Sequence, residues 1–132
     1  MSYRFLVADD MEINRKLMWS LLMHQGEVDF ANDGLQTVQA WKKALAEGKP
    51  YDLILLDIMM PEMDGQQALA EIRHQEAALG FDSGQEVKVA MVTCLGDYDN
   101  ALEGFKNGVA DYLVKPVDKS KIEHLLHDLN LL

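Results

Sequence analysis

The sequence predicts an α/β fold in which a five-stranded parallel sheet is covered by helices on both faces. Short apolar runs alternate with amphipathic segments five times along the chain, which is typical of repeated strand–helix units. One of these runs, Leu53–Leu56, is apolar at every position, as expected for a strand buried on both faces of a parallel sheet. The length of 132 residues suits one compact domain, so we expect a single domain over residues 1–132.

Each element is predicted from its local pattern, with short apolar runs giving strands and apolar residues at helical spacing giving helices. The predicted strands are Phe5–Ala8, Val28–Ala31, Leu53–Asp57, Val87–Val92 and Ala110–Val114. The predicted helices cover residues 13–24, 36–46, 66–79, 99–107 and the segment that follows Asp118, whose side chain can cap the last helix. Connections between the parallel strands are expected to be right-handed.

The first predicted helix has an apolar stripe that begins with Ile13 and Leu17 and is widened by Met18 and Leu22. In a surface helix such a stripe packs on the core. Gly26 fits the C-terminus of this helix, because glycine readily adopts the conformation that ends helices.

The composition excludes several classes of protein. The net charge of −10, from 22 acidic and 12 basic residues, argues against direct binding to nucleic-acid phosphates. Cys94 is the single cysteine and cannot form an internal disulfide, which favours a reducing compartment. The N-terminal apolar run is too short for a secretory signal, and no stretch reaches membrane-spanning length. We therefore expect a soluble cytoplasmic protein.

Polar residues capable of chemistry stand at the ends of four of the five predicted strands. They are Asp9 and Asp10, Asp57, Thr93 and Lys115. A single aspartate after a strand more often caps a turn. The carboxyl ends of parallel strands, however, lie at one edge of the sheet, where ligands bind in open α/β folds. The set therefore predicts three carboxylates, a hydroxyl and an ammonium around one crevice.

The chemistry of such a crevice follows from its charges. Ionised carboxylates about 4 Å apart repel by roughly 4 kcal/mol per pair at an effective dielectric constant near 20, so they require a counter-charge. A site with few carboxylates, completed by water and a backbone carbonyl, suits Mg²⁺ better than Ca²⁺. A carboxylate beside a metal and a lysine can attack phosphorus to form an acyl phosphate, while the cations offset charge on the transferring group.

Along nearly its whole length the chain resembles the receiver domain of two-component response regulators. The matching residues are Asp9–Asp10, the stretch D-I-M-M-P-E-M-D-G that starts at Asp57, Thr93, and Y-L-V-K-P from Tyr112 to Pro116. The resemblance implies a flavodoxin-like, doubly wound (βα)₅ fold with strand order 2-1-3-4-5. It also implies a signalling domain that phosphorylates and dephosphorylates itself, rather than an enzyme acting on an external substrate.

The resemblance implies a role for each site residue. Asp57 would be the phosphoacceptor, taking a phosphoryl group from a histidine of a sensor kinase or a phosphotransfer protein. Asp10 and Asp57 would ligate Mg²⁺, or Mn²⁺ in its place, together with the backbone carbonyl of Met59, and Asp9 would act largely through water. Lys115 would contact the phosphoryl group.

The resemblance also implies a conformational switch. Thr93 would move to bond a phosphoryl oxygen, and Tyr112 would turn into the space that it leaves. The pair would bias the surface formed by the predicted helix over residues 99–107, the fifth strand and the last helix. An output partner would read this surface, which could also form a homodimer. The Lys115–Pro116 bond would be cis.

Other interpretations of the sequence stay open at this stage. The first is a pseudo-receiver that binds partners without being phosphorylated. The second is an aspartyl-phosphate hydrolase of the haloacid-dehalogenase type, which wants an acid where this chain has Met59. The third is a flavodoxin-like cofactor binder, but the first strand is followed by Asp9–Glu12, which would repel a phosphate, rather than by a phosphate-binding loop.

Two further questions concern a single residue and the context of the chain. Cys94 is expected to be a small buried residue. The alternative is that it narrows access to the phosphoryl group. The sequence fits either a stand-alone receiver or one taken from a hybrid kinase or larger regulator, and it leaves the kinase, the stimulus and the output open.

Overall fold

The computed structural model describes residues 2–94 and 108–131. The strands are β1 (Tyr3–Ala8), β2 (Gly26–Ala31), β3 (Leu53–Asp57), β4 (Lys88–Thr93) and β5 (Asp111–Val114). The helices are α1 (Glu12–Leu22), α2 (Gly34–Ala46), α3 (Gly65–Ala78) and, last in the chain, α4 (Lys119–Asp128). The helix predicted over residues 99–107 lies outside the described residues.

The five strands form one sheet in the order β2-β1-β3-β4-β5, and every neighbouring pair is parallel. This confirms the predicted doubly wound α/β fold and its strand order. The chain runs from β1 outward to β2 and then back past β1 to β3. The connections after β1 and β3 therefore leave the sheet in opposite directions, which opens a crevice at the carboxyl ends of these two strands.

The core lies on both faces of the sheet. All five residues of β3 are buried, and their side chains alternate between the two faces, as the period of a strand requires. The face beneath α2 and α3 includes Leu6, Trp41, Ile54, Leu56, Leu69, Ile72 and Met91. The face beneath α1 and α4 includes Phe5, Val7, Met18, Leu22, Leu53, Leu55, Ile122 and Leu125. This two-sided burial explains why β3 is apolar at four consecutive positions.

The predicted packing face of α1 is partly wrong. Ile13 and Leu17 are 67% and 44% exposed, whereas Met18 and Leu22 are buried. Apolar residues occupy more than one side of this helix, and the sheet covers only the side that carries Met18 and Leu22. The helix therefore presents apolar side chains to the surface next to the crevice.

The prediction for Gly26 is also wrong, because α1 ends at Leu22 and Gly26 is the first residue of β2. A Cβ atom at Gly26 would lie 2.0 Å from the backbone oxygen of Tyr3. The glycine is thus required by the close approach of β1 rather than by a helix end. The Asp118 cap is confirmed, since its side chain accepts a hydrogen bond from the backbone N–H of Lys121.

No helix within the described part of the chain is both long enough and apolar enough to cross a membrane.

Candidate functional site

Three carboxylates meet at the crevice between β1 and β3. Asp9 and Asp10 follow β1, and Asp57 is the last residue of β3. Ala8 is in register with Leu56, so Asp9 and Asp57 leave neighbouring strands at the same level. One oxygen from each of the three carboxylates lies within 4.8 Å of the others. Asp9 and Asp57 are only 5% and 6% exposed, whereas Asp10 is open to solvent.

Lys115 reaches this acidic cluster from the edge of the sheet. It follows β5, and its backbone N–H donates to the carbonyl of Thr93 at the end of β4. Its ammonium lies 3.2 Å from a carboxylate oxygen of Asp57 and 3.4 Å from one of Asp9. The Lys115–Pro116 bond is cis. One cation is thus shared between two buried carboxylates.

Burial and charge shift the pKa values of this group. Burial raises the pKa of Asp57; the Lys115 ammonium lowers it and Asp9 raises it further, and the net shift is upward. Burial alone would lower the pKa of Lys115, but the attraction of Asp57 and Asp9 outweighs it, so this pKa is raised. Lys115 is therefore charged at neutral pH, whereas folding disfavours the ionised form of Asp57.

The loop after Asp57 is closely fixed. The backbone N–H of Met59 donates to a carboxylate oxygen of Asp57 at 3.2 Å. The N–H of Gly65, where α3 begins, donates to the carbonyl of Ile58 at 2.9 Å. A Cβ atom at Gly65 would lie 2.3 Å from the backbone oxygen of Asp57, so only glycine allows α3 to start this close to β3. The Met59 side chain itself points outward and is 61% exposed.

Asp9 differs from Asp10 in how it is held. One of its carboxylate oxygens accepts from the backbone N–H of Met11 at 2.9 Å and from the Asn14 side chain at 3.4 Å, and the other contacts Lys115. The guanidinium of Arg15 donates to the backbone carbonyl of Asp9 at 2.8 Å. Asn14 and Arg15 were not predicted as site residues. Their contacts depend on how α1 begins after the turn, which no local pattern in the sequence indicates.

The predicted switch residues lie on adjacent strands. Thr93 ends β4, is 7% exposed, and its hydroxyl donates to the carbonyl of Cys94 at 3.2 Å. Tyr112 in β5 is in register with Met91, two residues before Thr93, so Thr93 and Tyr112 lie on the same face of the sheet. Cys94 is exposed, so the expectation of a buried cysteine is wrong. The reason is that β4 ends at Thr93 and Cys94 already lies beyond the sheet.

A cavity of about 370 Å³ adjoins the acidic cluster. Its walls are formed by one side of α1 and by the connection between β5 and α4, and Asp9 and Lys115 contribute polar groups. The residues that line it from these segments are Asn14, Leu17, Met18, Pro116 and Val117. An apolar hollow thus lies directly beside the charged site.

The donor set fits a divalent cation with a preference for oxygen ligands. Three carboxylates and one ammonium leave a surplus of negative charge, which a bound cation would offset. The exposed carboxylate of Asp10 gives an ion direct access from solvent. Such a site, with few carboxylates and room for water, suits Mg²⁺.

A doubly wound parallel sheet with an acidic cluster and a lysine at its switch point defines a receiver-type signalling domain. A comparison with protein families agrees with this class. The chain belongs to the response regulator receiver domain family, whose model matches residues 5–127. The resemblance inferred from the sequence is thereby confirmed. Receiver domains bind Mg²⁺ through acidic residues, and the Asp9, Asp10 and Asp57 cluster fits such a site.

Two curated relatives are transcriptional regulatory proteins. The chain is 34% identical over 124 residues to ZraR of Klebsiella oxytoca, covering 93% of this chain and 25% of the relative. It is 32% identical over 123 residues to SrrA of Staphylococcus aureus strain NCTC 8325, covering 92% of this chain and 45% of the relative. The chain therefore spans less than half of the length of each of these two relatives.

Solved structures show the same fold. The chemotaxis protein CheY4 of Vibrio cholerae superposes with a TM-score of 0.81 at 25% identity, over 98% of this chain and 99% of that one. The CheX–CheY–BeF₃–Mg²⁺ complex of Borrelia burgdorferi gives a TM-score of 0.79 at 25% identity, over 95% of this chain and 87% of that one. These structures are CheY-like, which agrees with the observed strand order.

Proposed function

We propose that residues 1–132 form a single phosphoacceptor domain of a two-component or phosphorelay system. Asp57 takes a phosphoryl group from a phosphohistidine of a sensor kinase or a phosphotransfer protein. The observation that carries this proposal is the placement of Asp57, which is buried, within 4.8 Å of two further carboxylates, and 3.2 Å from the Lys115 ammonium. The domain acts on itself and does not turn over an external substrate.

Asp57, Lys115 and Thr93 each have a separate role in the transfer. A carboxylate oxygen of Asp57 forms a bond to phosphorus, while the phosphorus–nitrogen bond breaks and its electron pair returns to the imidazole of the donor. Lys115, already held beside Asp57, places its ammonium against the charge on the phosphoryl oxygens. The hydroxyl of Thr93 donates a further hydrogen bond. Mg²⁺, when bound, supplies positive charge that offsets the negative charge of the phosphoryl group and the acids.

The contacts of the acids support the ligand assignment. Both carboxylate oxygens of Asp9 are already engaged, by Met11, Asn14 and Lys115, which favours contact with the metal through water. The exposed carboxylate of Asp10 and that of Asp57 are then the direct ligands, with the backbone carbonyl of Met59. Mn²⁺ accepts the same oxygen donors. The Borrelia CheX–CheY complex contains Mg²⁺ together with BeF₃.

The proposed switch uses Thr93 and Tyr112. Phosphorylation gives the Thr93 hydroxyl a charged acceptor in place of the Cys94 carbonyl, and charged acceptors form the stronger hydrogen bonds. Movement of Thr93 opens space on the face of the sheet where Tyr112 also lies. This change alters the surface of β5 and α4, which an output partner or a second copy of the chain reads. The net charge of −10 favours a protein partner over direct contact with nucleic acid.

The partner that donates phosphoryl must reach a partly enclosed site. The apolar hollow beside Asp9 and Lys115, which Leu17 of α1 lines, offers such a partner an apolar surface, and Ile13 is a further exposed apolar residue on the same helix. Membership of the response regulator receiver domain family agrees with a protein as the phosphoryl donor. The hydrolase alternative receives no support, because Met59 stands where its second acid would be.

Phosphorylation by a small donor tests the proposal. Acetyl phosphate with Mg²⁺ should add the mass of one phosphoryl group to the intact protein, as measured by mass spectrometry. Asp57→Asn should abolish the addition, and Asp128→Asn, which changes an exposed acid at the end of α4, should leave it unchanged. Phosphate that still appears on the Asp57 variant would show that the acceptor is another residue.

A further inference from the structure

The turn between β1 and α1 is held by contacts that run in both directions. The Asp9 side chain accepts from the backbone N–H of Met11, just before the helix begins, at 2.9 Å. Arg15, in the first turns of α1, donates back to the backbone carbonyl of Asp9 at 2.8 Å. The N–H of Asp9 donates to the carbonyl of Ala31 in β2 at 3.1 Å. The main chain of Asp9 is thus fixed by the sheet on one side and by the helix on the other.

The Arg15 contact has a consequence for the next residue. The carbonyl oxygen of Asp9 belongs to the peptide group that joins Asp9 to Asp10. Because this group is planar and rigid, holding its oxygen restricts the direction in which Asp10 leaves the strand. Asp10 is exposed, so burial does not fix its side chain. The position of Asp10 near Asp57 therefore depends on the main chain that Arg15 holds.

We infer that Arg15 is a positioning residue of the cation site, and that it acts by fixing the Asp9–Asp10 peptide rather than by its charge. This inference rests on the proposed function, because it concerns the same Mg²⁺ site. Partners that orient metal ligands without touching the metal typically change its affinity about 10- to 100-fold when they are removed. Arg15 acts through the main chain, so its effect should lie near the lower end of this range.

Two roles of Arg15 can be separated by the sign of the effect. If Arg15 acted only as a positive charge near the acids, its removal would raise the affinity of the site for a cation. If it holds Asp10 in place, its removal lowers that affinity. A purely structural role would lower the melting temperature of the metal-free protein and leave the Mg²⁺ affinity unchanged.

The test measures the Mg²⁺ dissociation constant of the whole chain from the dependence of the melting temperature on MgCl₂ concentration. Arg15→Gln should bind Mg²⁺ about tenfold more weakly than the wild type. Arg15→Lys keeps the charge and one donor, so its binding should be weakened only about threefold. Lys16→Gln is the matched control, since Lys16 is the next residue on α1, is exposed, and pairs with Glu12. It should bind Mg²⁺ as tightly as the wild type or slightly more tightly.

Binding by Arg15→Gln that equals or exceeds that of the wild type overturns the inference. Circular dichroism establishes whether this variant is folded before the titration. If it is unfolded, Arg15→Lys decides the question, and wild-type affinity in that variant overturns the inference. Absence of a Mg²⁺ response in the wild type itself would overturn the proposed function, whereas failure of the inference alone would be seen only in the Arg15 variants.

Discussion

Replacement of Asp57 by asparagine is predicted to stabilise the metal-free protein. Most substitutions of buried residues destabilise a fold, so this sign is informative. The asparagine side chain has nearly the same shape, and its oxygen can still accept from the N–H of Met59. The variant therefore removes a charge while it leaves the packing at the end of β3 almost unchanged.

The expected magnitude follows from the distances in the site. Repulsion between Asp57 and the buried Asp9, across at most 4.8 Å, is about 3.5 kcal/mol at an effective dielectric constant near 20, whereas the exposed Asp10 is screened by solvent and adds less. The attraction of Lys115 at 3.2 Å is about 5 kcal/mol on the same basis. The attraction exceeds this repulsion by about 1.5 kcal/mol, but burial of the Asp57 charge, which is the largest cause of its raised pKa, costs several kcal/mol and outweighs it. We therefore expect the free energy of unfolding to rise by about 2 kcal/mol.

The assay is chemical and thermal unfolding in buffer that contains a metal chelator, with circular dichroism as the readout. For a domain of this size, about 2 kcal/mol corresponds to a rise in melting temperature of roughly 6 to 10 °C. Asp128→Asn serves as the control, since Asp128 is exposed and lies on α4. A decrease in stability of the Asp57 variant, with the control unchanged, would refute the view that the ionised carboxylate is held at a cost.

The effect should depend on pH in a defined direction. Burial raises the pKa of Asp57 above its unfolded value of about 3.9, with Lys115 opposing and Asp9 adding to the shift. A raised carboxyl pKa contributes stability below the unfolded pKa, and this contribution is lost as the pH rises through the folded-state pKa. The free energies of unfolding of the wild type and of Asp57→Asn should therefore be nearly equal near pH 3, and their difference should grow as the pH increases toward 7.

Three further predictions concern the cation, the lysine and the turn. Mg²⁺ at about 100 times its dissociation constant should add about 2.7 kcal/mol to the free energy of unfolding, and Asp10→Asn should shrink the thermal shift; an undiminished shift would place the metal elsewhere. Lys115→Met removes the cation shared by two buried carboxylates, so metal-free stability should fall by about 3 kcal/mol in denaturant titrations, and unchanged stability would contradict the pairing. Gly65→Ala should cost about 2 kcal/mol or more because its Cβ would meet the Asp57 carbonyl at 2.3 Å, whereas the control Gly84→Ala meets only the Asp82 side chain at 3.3 Å; equal effects in the same titration would refute the packing argument.

Much of the site could be predicted from the sequence because its residues directly follow strands that short apolar runs indicate. The apolar run Leu53–Leu56 indicates where β3 lies, and the polar residue that follows a strand is at its carboxyl end by definition. Parallel pairing then places Asp9 and Asp57 at one edge of the sheet without any knowledge of side-chain contacts. The strand order itself did not follow from the residues and was implied by the family resemblance.

The packing of α1 could not be predicted in the same way. Apolar residues at Ile13, Leu17, Met18 and Leu22 cover more than one side of the helix, so helical spacing alone does not select the buried side. That choice depends on the angle at which the helix meets the sheet. Gly26 illustrates the same limit, since a glycine that ends a helix and one that lets two strands approach closely look alike in a sequence.

The hydrogen bond from Arg15 to Asp9 is even harder to predict from the sequence. The arginine donates to a backbone oxygen, so the identity of the accepting residue carries no signal. The contact exists only because the turn after β1 brings that carbonyl to the first turns of α1. Patterns of residue type can indicate which side chains react, but they do not reveal which main-chain groups hold them in place.

If Asp57 is phosphorylated as proposed, the charge balance of the site predicts that this covalent change moves a surface. Asp9, Asp10 and Asp57 together with Lys115 leave two negative charges, which a divalent cation compensates. An acyl phosphate carries two negative charges where the carboxylate of Asp57 carried one. Phosphorylation would therefore leave the site, with its divalent cation bound, with one uncompensated negative charge. The Thr93 hydroxyl, at the end of the strand paired with β3, is an uncharged donor that can respond to this surplus. The demand for a further donor, rather than a change in shape at Asp57, is what we expect to draw Thr93 inward and to alter the face shared with Tyr112.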